Sequence, residues 1–216
     1  MTIHQFMYKH LQDPVIIEAG ACDGSDTLIM SNMFPNGKIY SFEPVPALFE
    51  RTKERLKNKN NVKIYNMALS DKTGEQPMHV AFEFDKNCGS SSLLNPKLHL
   101  EYYKRITFEE KINVKTIRLD EFLKNENIKK VNFMWLDMQG YEPFVLQNSP
   151  EALKITDFIH TETQNTECYE GGMLTPKYIE FLQKSGFVIL FDNASPYLDG
   201  GDLTLIRKEL YDKKVS

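Results

Sequence analysis

The chain has 216 residues, 41% of them hydrophobic, enough for the core of one α/β domain spanning 1–216 with little room for a second. A net charge of −4 and a pI near 5.8 argue against a broad basic surface for nucleic acid. The N-terminus lacks a basic head followed by an apolar run, and no window is apolar for long enough to span a bilayer. Three scattered cysteines (Cys22, Cys88, Cys168) form no C-x-x-C pair, so neither a zinc site nor a disulfide framework is expected, and a reduced, cytoplasmic setting is.

Short apolar runs alternate with amphipathic segments, the pattern of a parallel sheet with helices on both faces. After an N-terminal extension (1–14), a buried strand is expected over 15–19. A helix over 26–34 follows, with Ser25 or Asp26 as its N-cap. Pro35-Asn36-Gly37 turns the chain into a second strand, 38–42, and Pro46 opens the next helix. A third strand is expected over 62–68, then a turn at Asp71-Lys72-Thr73-Gly74 and an extended 76–84. Residues 85–111 show no strong periodicity and read as an irregular insertion, a place for a substrate lid. An extended 114–119 and a short helix 119–125 precede strand 131–136, which is almost wholly apolar, as a central parallel strand is. Helix 141–147, strand 158–161 and a helix from Thr175 that stops at Gly186 come next. Segments 187–191 and 203–207, separated by Asp199-Gly200-Gly201, read as a terminal antiparallel hairpin. The sum is seven strands in a mostly parallel, Rossmann-like sheet.

The first strand runs into Glu18-Ala19-Gly20-Ala21-Cys22-Asp23-Gly24, and the second ends on Glu43. A glycine turn opening a helix and an acid at the tip of the next strand form a cradle for a nucleoside, the acid accepting both ribose hydroxyls. The turn is acid-x-Gly-x-x-x-Gly rather than G-x-G-x-x-G, so it is not fitted to a pyrophosphate, and a phosphate-free nucleoside such as S-adenosylmethionine is indicated.

Because ligands of open α/β sheets bind beyond the carboxyl ends of the strands, the polar residues at those ends are the site candidates. Cofactor contacts are expected from Glu18, Gly20, Ala21, Gly24, Asp26, Thr27, Glu43, Pro44, Ala68, Leu69, Ser70 and Asp137. Glu18 and Asp137 would face the cofactor's cationic groups, and Asp26 and Thr27 its amino-acid tail. Methyl transfer depends mainly on positioning, with a base needed when the acceptor is an alcohol. Asp137, Glu162 and Glu142 are the catalytic candidates, with His160 behind them. No resident metal is expected, although Asp137, Glu142 and Glu162 are the trio that would converge on a hard cation. The insertion and residues 163–173 are expected to shape the acceptor pocket.

These residues resemble the FkbM family of S-adenosylmethionine-dependent methyltransferases. The resemblance is carried by residues 18–27, by Phe42-Glu43-Pro44-Val45-Pro46, by Asn66-Met67-Ala68-Leu69-Ser70 and by Ser90-Ser91-Ser92-Leu93. It continues through Thr116-Ile117-Arg118-Leu119-Asp120, Trp135-Leu136-Asp137-Met138-Gln139-Gly140-Tyr141-Glu142, Thr161-Glu162, Tyr169-Glu170-Gly171 and Gly186-Phe187. It implies the class I methyltransferase fold and O-methylation of a hydroxyl on a sugar, glycan or secondary metabolite. The chain departs from the family in having Trp135 where many members have lysine, Gln139 where they have glutamate, and Glu18 where they have aspartate. Competing readings are an RNA methyltransferase, which would want a basic aromatic face, a binding module of the same fold without catalysis, and a nicotinamide-dependent oxidoreductase, which would want the absent tight glycine turn.

Overall fold

The computed structural model describes residues 2–193 and 200–215. In chain order the elements are α1 (Ile3–His10), β1 (Val15–Ala19), α2 (Ser25–Met33), β2 (Lys38–Phe42), α3 (Pro46–Arg55), β3 (Val62–Tyr65), β4 (Ala68–Ser70), β5 (Gly74–Glu83), β6 (Lys86–Asn87) and α4 (His99–Tyr102). They continue with β7 (Ile106–Arg118), α5 (Leu119–Asn125), β8 (Val131–Leu136), α6 (Glu142–Gln147), α7 (Pro150–Ile155), β9 (Thr156–Gln164), α8 (Thr175–Lys184), β10 (Phe187–Asp192), β11 (Gly200–Arg207) and α9 (Lys208–Val215).

The main sheet has seven strands in the order β10-β11-β9-β8-β1-β2-β3. All its pairings are parallel except those of β11, which runs antiparallel to both β9 and β10. The strand order reverses between β1 and β8, and a crevice opens at such a reversal because successive crossovers leave on opposite faces. Both strands are mostly apolar, with Ile16, Ile17, Phe133 and Met134 wholly buried. One face packs under α5, α6, α7 and α8 through Leu119, Phe122, Val145, Leu146, Ala152, Tyr178 and Leu182. The other is covered by α1 and α2 through Phe6, Met7, Met30 and Phe34.

A second sheet, β4-β7-β5-β6, stands beside the carboxyl-terminal rim of the first. It accounts for two differences from the expectations. The strand expected over 62–68 ends at Tyr65, because Asn66 donates its side-chain amide to the carbonyls of Glu43 and Pro44 and turns the chain aside. Ala68–Ser70 then pairs with β7 instead. The expected irregular segment 85–111 holds only the short β6 and α4 as far as Tyr103. From Ile106 it belongs to the 13-residue β7, where three successive exposed residues, Glu109, Glu110 and Lys111, break the alternation that marks a half-buried strand.

The start of α2 also differs from expectation. Gly24, in the left-handed region at φ 76°, is the N-cap, and Ser25 is already helical. Asp23 accepts a hydrogen bond from the Ser25 amide, so the side-chain acceptor lies one residue before the cap. The N-terminal extension contains α1, closed by a capping box between Thr2 and Gln5. Of the expected hairpin turn, Asp199 lies outside the described residues.

Candidate active site

Two turns meet at the reversal point. The β1–α2 turn is held by Gly20 and Ala21, whose amides both donate to the Phe42 carbonyl at 3.0 Å. The turn after β8 is held by the Asp137 amide, which donates to the Ala19 carbonyl at 2.9 Å. Each turn places one residue with a side chain, Cys22 (φ 51°) and Gln139 (φ 53°), in the left-handed region that normally takes glycine. Such strain persists only where surrounding contacts impose it, and it gathers at ligand sites.

Between these turns and the second sheet lies a cavity of about 510 Å³. Glu43 stands in its wall, 4% exposed, with one carboxylate oxygen accepting from the Cys22 amide and the other from the Val45 amide, both at 2.8 Å. Burial pushes its pKa up to about 8, against the two backbone donors that favour the anion. A carboxylate with one backbone donor on each oxygen retains acceptor capacity, which is what a pair of ribose hydroxyls would need. Phe42, Leu48, Leu69, Met78 and Leu93 add an apolar wall suited to an adenine ring. Tyr141 also lines this cavity, and its hydroxyl donates to Asp71 at 2.8 Å.

Six of the expected cofactor residues line this cavity: Gly20, Glu43, Pro44, Ala68, Leu69 and Asp137. The other six stand behind it. Glu18, 1% exposed, accepts from Thr27 Oγ1 and Ser41 Oγ, each at 2.6 Å, and burial raises its pKa to about 7. It therefore ties β1 to α2 and β2 instead of facing a ligand. Thr27 and Ser70 are wholly buried, Ala21 is 6% exposed, and Gly24 caps α2. Asp26 stands on the α2 side, 3.5 Å from His4. The contributions of Cys22, Leu48, Met78, Cys88, Gly89, Ser91, Leu93 and Met138 to the wall went unread in the sequence, where nothing distinguishes a pocket-lining leucine from a core one.

A second recess, about 870 Å³, adjoins the first along Asp137–Gln139 and Gly89–Ser91. Its walls include Ser90, His99, Tyr103 and Ile106 from the insertion, Glu162, Gln164 and Tyr169 from β9 and the loop after it, and Asp202 from β11. Residues 163–173 thus reach this recess through Thr163, Gln164, Cys168 and Tyr169.

The three catalytic candidates come together, with carboxylate oxygens within 4.8 Å of one another. Asp137 is solvent-accessible at the foot of the cleft but ringed by protein. That enclosure, with the negative charges of Asp202 and Asp26, raises its pKa to about 6 despite a hydrogen bond from Gln139. Gln139 Nε2 lies 2.9 Å from Asp137 Oδ1 and 3.0 Å from Glu162 Oε2, and so bridges the two. Gln139 is itself gripped: its Oε1 is 2.9 Å from the Tyr169 hydroxyl and its carbonyl accepts from Ser92 Oγ. Glu142 is 1% exposed, accepts from the Met138 amide and lines neither cavity. Burial pushes its pKa up to about 8. His160, 6% exposed, bonds Thr204 Oγ1 at 2.9 Å and stacks edge-on with Trp135, below the rim. Trp135 packs with the α1 cluster and lines neither cavity.

The model of the methyltransferase FkbM domain matches residues 18–189, from the base of the cofactor turn to β10. This chain belongs to the FkbM methyltransferase family. It is 31% identical to the 2-O-methyltransferase NoeI of Sinorhizobium fredii over 88% of this chain and 81% of NoeI. It is 22% identical to the hexuronic acid methyltransferase AglP of Haloferax volcanii over 70% of this chain and 56% of AglP. Among solved structures, the magnesium protoporphyrin IX methyltransferase of Synechocystis superposes with a TM-score of 0.56 at 9% identity, covering 95% of this chain and 76% of that one. At that identity the likeness speaks for the fold alone. The family supplies the activity, and the chain is a methyltransferase. The Glu43 carboxylate and the apolar wall are the chemistry that a nucleoside cofactor needs.

Proposed function

We propose that the chain transfers the methyl group of S-adenosylmethionine to a hydroxyl of a sugar held in the second recess, with Asp137 as general base. The observation that carries this reading is the position of Asp137, which lines the cofactor cavity and adjoins the acceptor recess through Gln139. The bound cofactor supplies an electrophilic methyl group on a sulfonium. With that group bound, the residues of the second recess would orient the acceptor hydroxyl and Asp137 would take up its proton. Its pKa near 6 leaves Asp137 mostly ionised at neutral pH and available as the acceptor. Glu162, joined to Asp137 through the Gln139 amide, spreads and orients that charge. Glu142 serves as an anchor for the turn that carries Asp137, since its carboxylate is spent on backbone amides.

The sugar assignment draws on the acceptor chemistry named for NoeI and AglP and on the recess itself. Tyr103 and His99 offer rings to the C–H face of a pyranose, and Gln164, Glu162 and Asp202 offer acceptors to its hydroxyls. Residues 85–111 would close over the acceptor, since they wall both cavities. A reaction without metal is favoured by Gln139, whose amide N–H2 group donates between Asp137 and Glu162 where a bridging cation would sit.

The test is S-adenosylhomocysteine release with a panel of glycosides, followed by product mass and a chelator control. Asp137→Asn should lower kcat by roughly 10²–10⁴-fold while cofactor affinity changes only a few-fold. Unchanged kcat in that variant rules out the base, and loss of activity with chelator rules out the metal-free reaction.

A further inference from the structure

Two stretches of chain divide the cofactor cavity from the second recess. In the first, residues 88–93, Cys88, Gly89, Ser91 and Leu93 line the cofactor cavity and Ser90 lines the recess. This stretch is fixed from behind by β5: Ser92 and His79 exchange two backbone hydrogen bonds, 2.9 and 3.1 Å, and Ser91 Oγ accepts from the Ala81 amide at 2.9 Å. At its near end it touches the cofactor turn, where a Cβ built on Gly89 would stand 3.6 Å from Cys22 Sγ. In the second stretch Asp137 lines the cofactor cavity and Gln139 the recess. Ser92, wholly buried and in neither wall, joins the two stretches. Its Oγ donates to the Gln139 carbonyl at 2.9 Å and accepts from the Leu94 amide at 3.0 Å. The Tyr169 hydroxyl adds a second tie, shared between the Ser90 carbonyl and Gln139 Oε1.

We propose that Ser92 is a positioning residue that couples the two cavities: a nucleoside seated against residues 88–93 fixes, through Ser92 and Gln139, the wall at which the acceptor hydroxyl meets Asp137. The inference rests on the reading of the second recess as the acceptor site. Gln139 holds a left-handed backbone, φ 53°, which a residue with a side chain keeps only where its surroundings impose it. The hydrogen bond from Ser92 falls on the main chain of that same residue. Gln139 in turn bridges Asp137 and Glu162 through its side-chain amide, so the Ser92 hydroxyl stands one residue removed from the base. A nucleoside packed on Gly89, Ser91 and Leu93 presses them toward β5, which keeps Ser92 within reach of the Gln139 carbonyl and the turn in its left-handed form. Coupling between two sites is reciprocal, so the acceptor gains from the bound cofactor the same factor in affinity that the cofactor gains from the acceptor.

The experiment is hydrogen-exchange mass spectrometry on the full chain, free and loaded with S-adenosylhomocysteine, in wild type and Ser92→Ala. In wild type the ligand should slow exchange over the cofactor turn and also across the partition, in peptides carrying residues 138–141 and 165–170. The expected slowing there is roughly fivefold or more, the low end of couplings between sites. Ser92→Ala should keep its affinity for the ligand within a few-fold and its protection over the cofactor turn, and should lose the slowing at 165–170. The difference between loaded and free protein is what is read, because a merely structural role for Ser92 would speed exchange equally in both. Slowing at 165–170 that is absent from wild type, or that survives in Ser92→Ala, overturns the proposal. Neither acceptor nor turnover enters the measurement, so its outcome is separate from the failure of methyl transfer, which the product-mass assay reports.

Discussion

The Cα of Gly20 lies against the carbonyl oxygen of Asp137: a Cβ built on Gly20 would stand 1.8 Å from it. At φ 88° Gly20 is also in a region that other residues rarely adopt. The two turns of the active site therefore touch through a glycine and a main-chain oxygen, and the spacing of β1 from β8 at the rim depends on the absence of a side chain. Gly20→Ala should force the Asp137 turn outward. The left-handed conformation alone costs about 1–2 kcal/mol, and the clash adds to it. We expect a lowered melting temperature together with loss of S-adenosylhomocysteine binding by calorimetry; a stable variant with unchanged affinity would show that the turns can move apart.

Glu43 should make cofactor affinity depend on pH. Hydroxyl donors favour its anion, whereas burial holds the free protein's carboxyl protonated up to about pH 8. Affinity for S-adenosylhomocysteine should rise as pH climbs toward about 8 and level off above it. Glu43→Gln should weaken binding about tenfold or more, since charge-assisted hydrogen bonds are worth about 1.5–3 kcal/mol each, and should flatten the pH profile. Calorimetric titrations across that range, in wild type and variant, give both readings.

Stability should depend on pH through Glu18. In the folded chain it keeps its proton up to about pH 7, and in the unfolded chain only to about its ordinary 4.5. Unfolding between those values releases a proton, so the stability is present in full at the acid end and is lost as pH rises to about 7. The slope is about 1.4 kcal/mol per pH unit for one proton. Glu43 and Glu142, also raised, act in the same direction. Glu18→Gln should remove part of that slope and make the protein more resistant to denaturant at pH 8 relative to wild type. An identical slope in the variant would mean that Glu18 ionises freely in the folded state.

Tyr169 acts through Gln139. Its hydroxyl, 2% exposed as a residue and 2.7 Å from the Ser90 carbonyl, shares its proton between that oxygen and Gln139 Oε1. Tyr169→Phe should free Gln139 to leave its strained turn and so loosen the bridge between Asp137 and Glu162. The expected signature is a fall in kcat of roughly tenfold and a displaced acid limb of the pH–rate profile, with the cofactor Kd unchanged. A change confined to KM would assign Tyr169 to the acceptor alone.

Legibility in the sequence followed the range of the physics. The main strands and the rim acids could be read because apolar periodicity, glycine turns and strand-end carboxylates are local signals. Helix 119–125 and strand 131–136 occur with the bounds that their patterning implies. Glu18 shows where that kind of reasoning stops: a strand-end acid beside a glycine turn has the same sequence signature whether it faces a ligand or, as here, two buried hydroxyls. The second sheet is not legible in the sequence because the exposed run Glu109-Glu110-Lys111 breaks the alternation of β7, which gains its partners from β5 and β4, residues far apart in the chain.

By itself, then, the order of residues determined a doubly wound sheet, a glycine turn beside the strand-end acid Glu43, and the rim acids Asp137, Glu142 and Glu162. Only tertiary structure decided which of those acids face a cavity, that Gln139 spans two of them under the hold of Tyr169 and Ser92, and that Gln164 and Asp202 come together in the wall of the second recess. Side-chain direction and the pairing of distant segments are set by packing across the sheet, and no local periodicity encodes them.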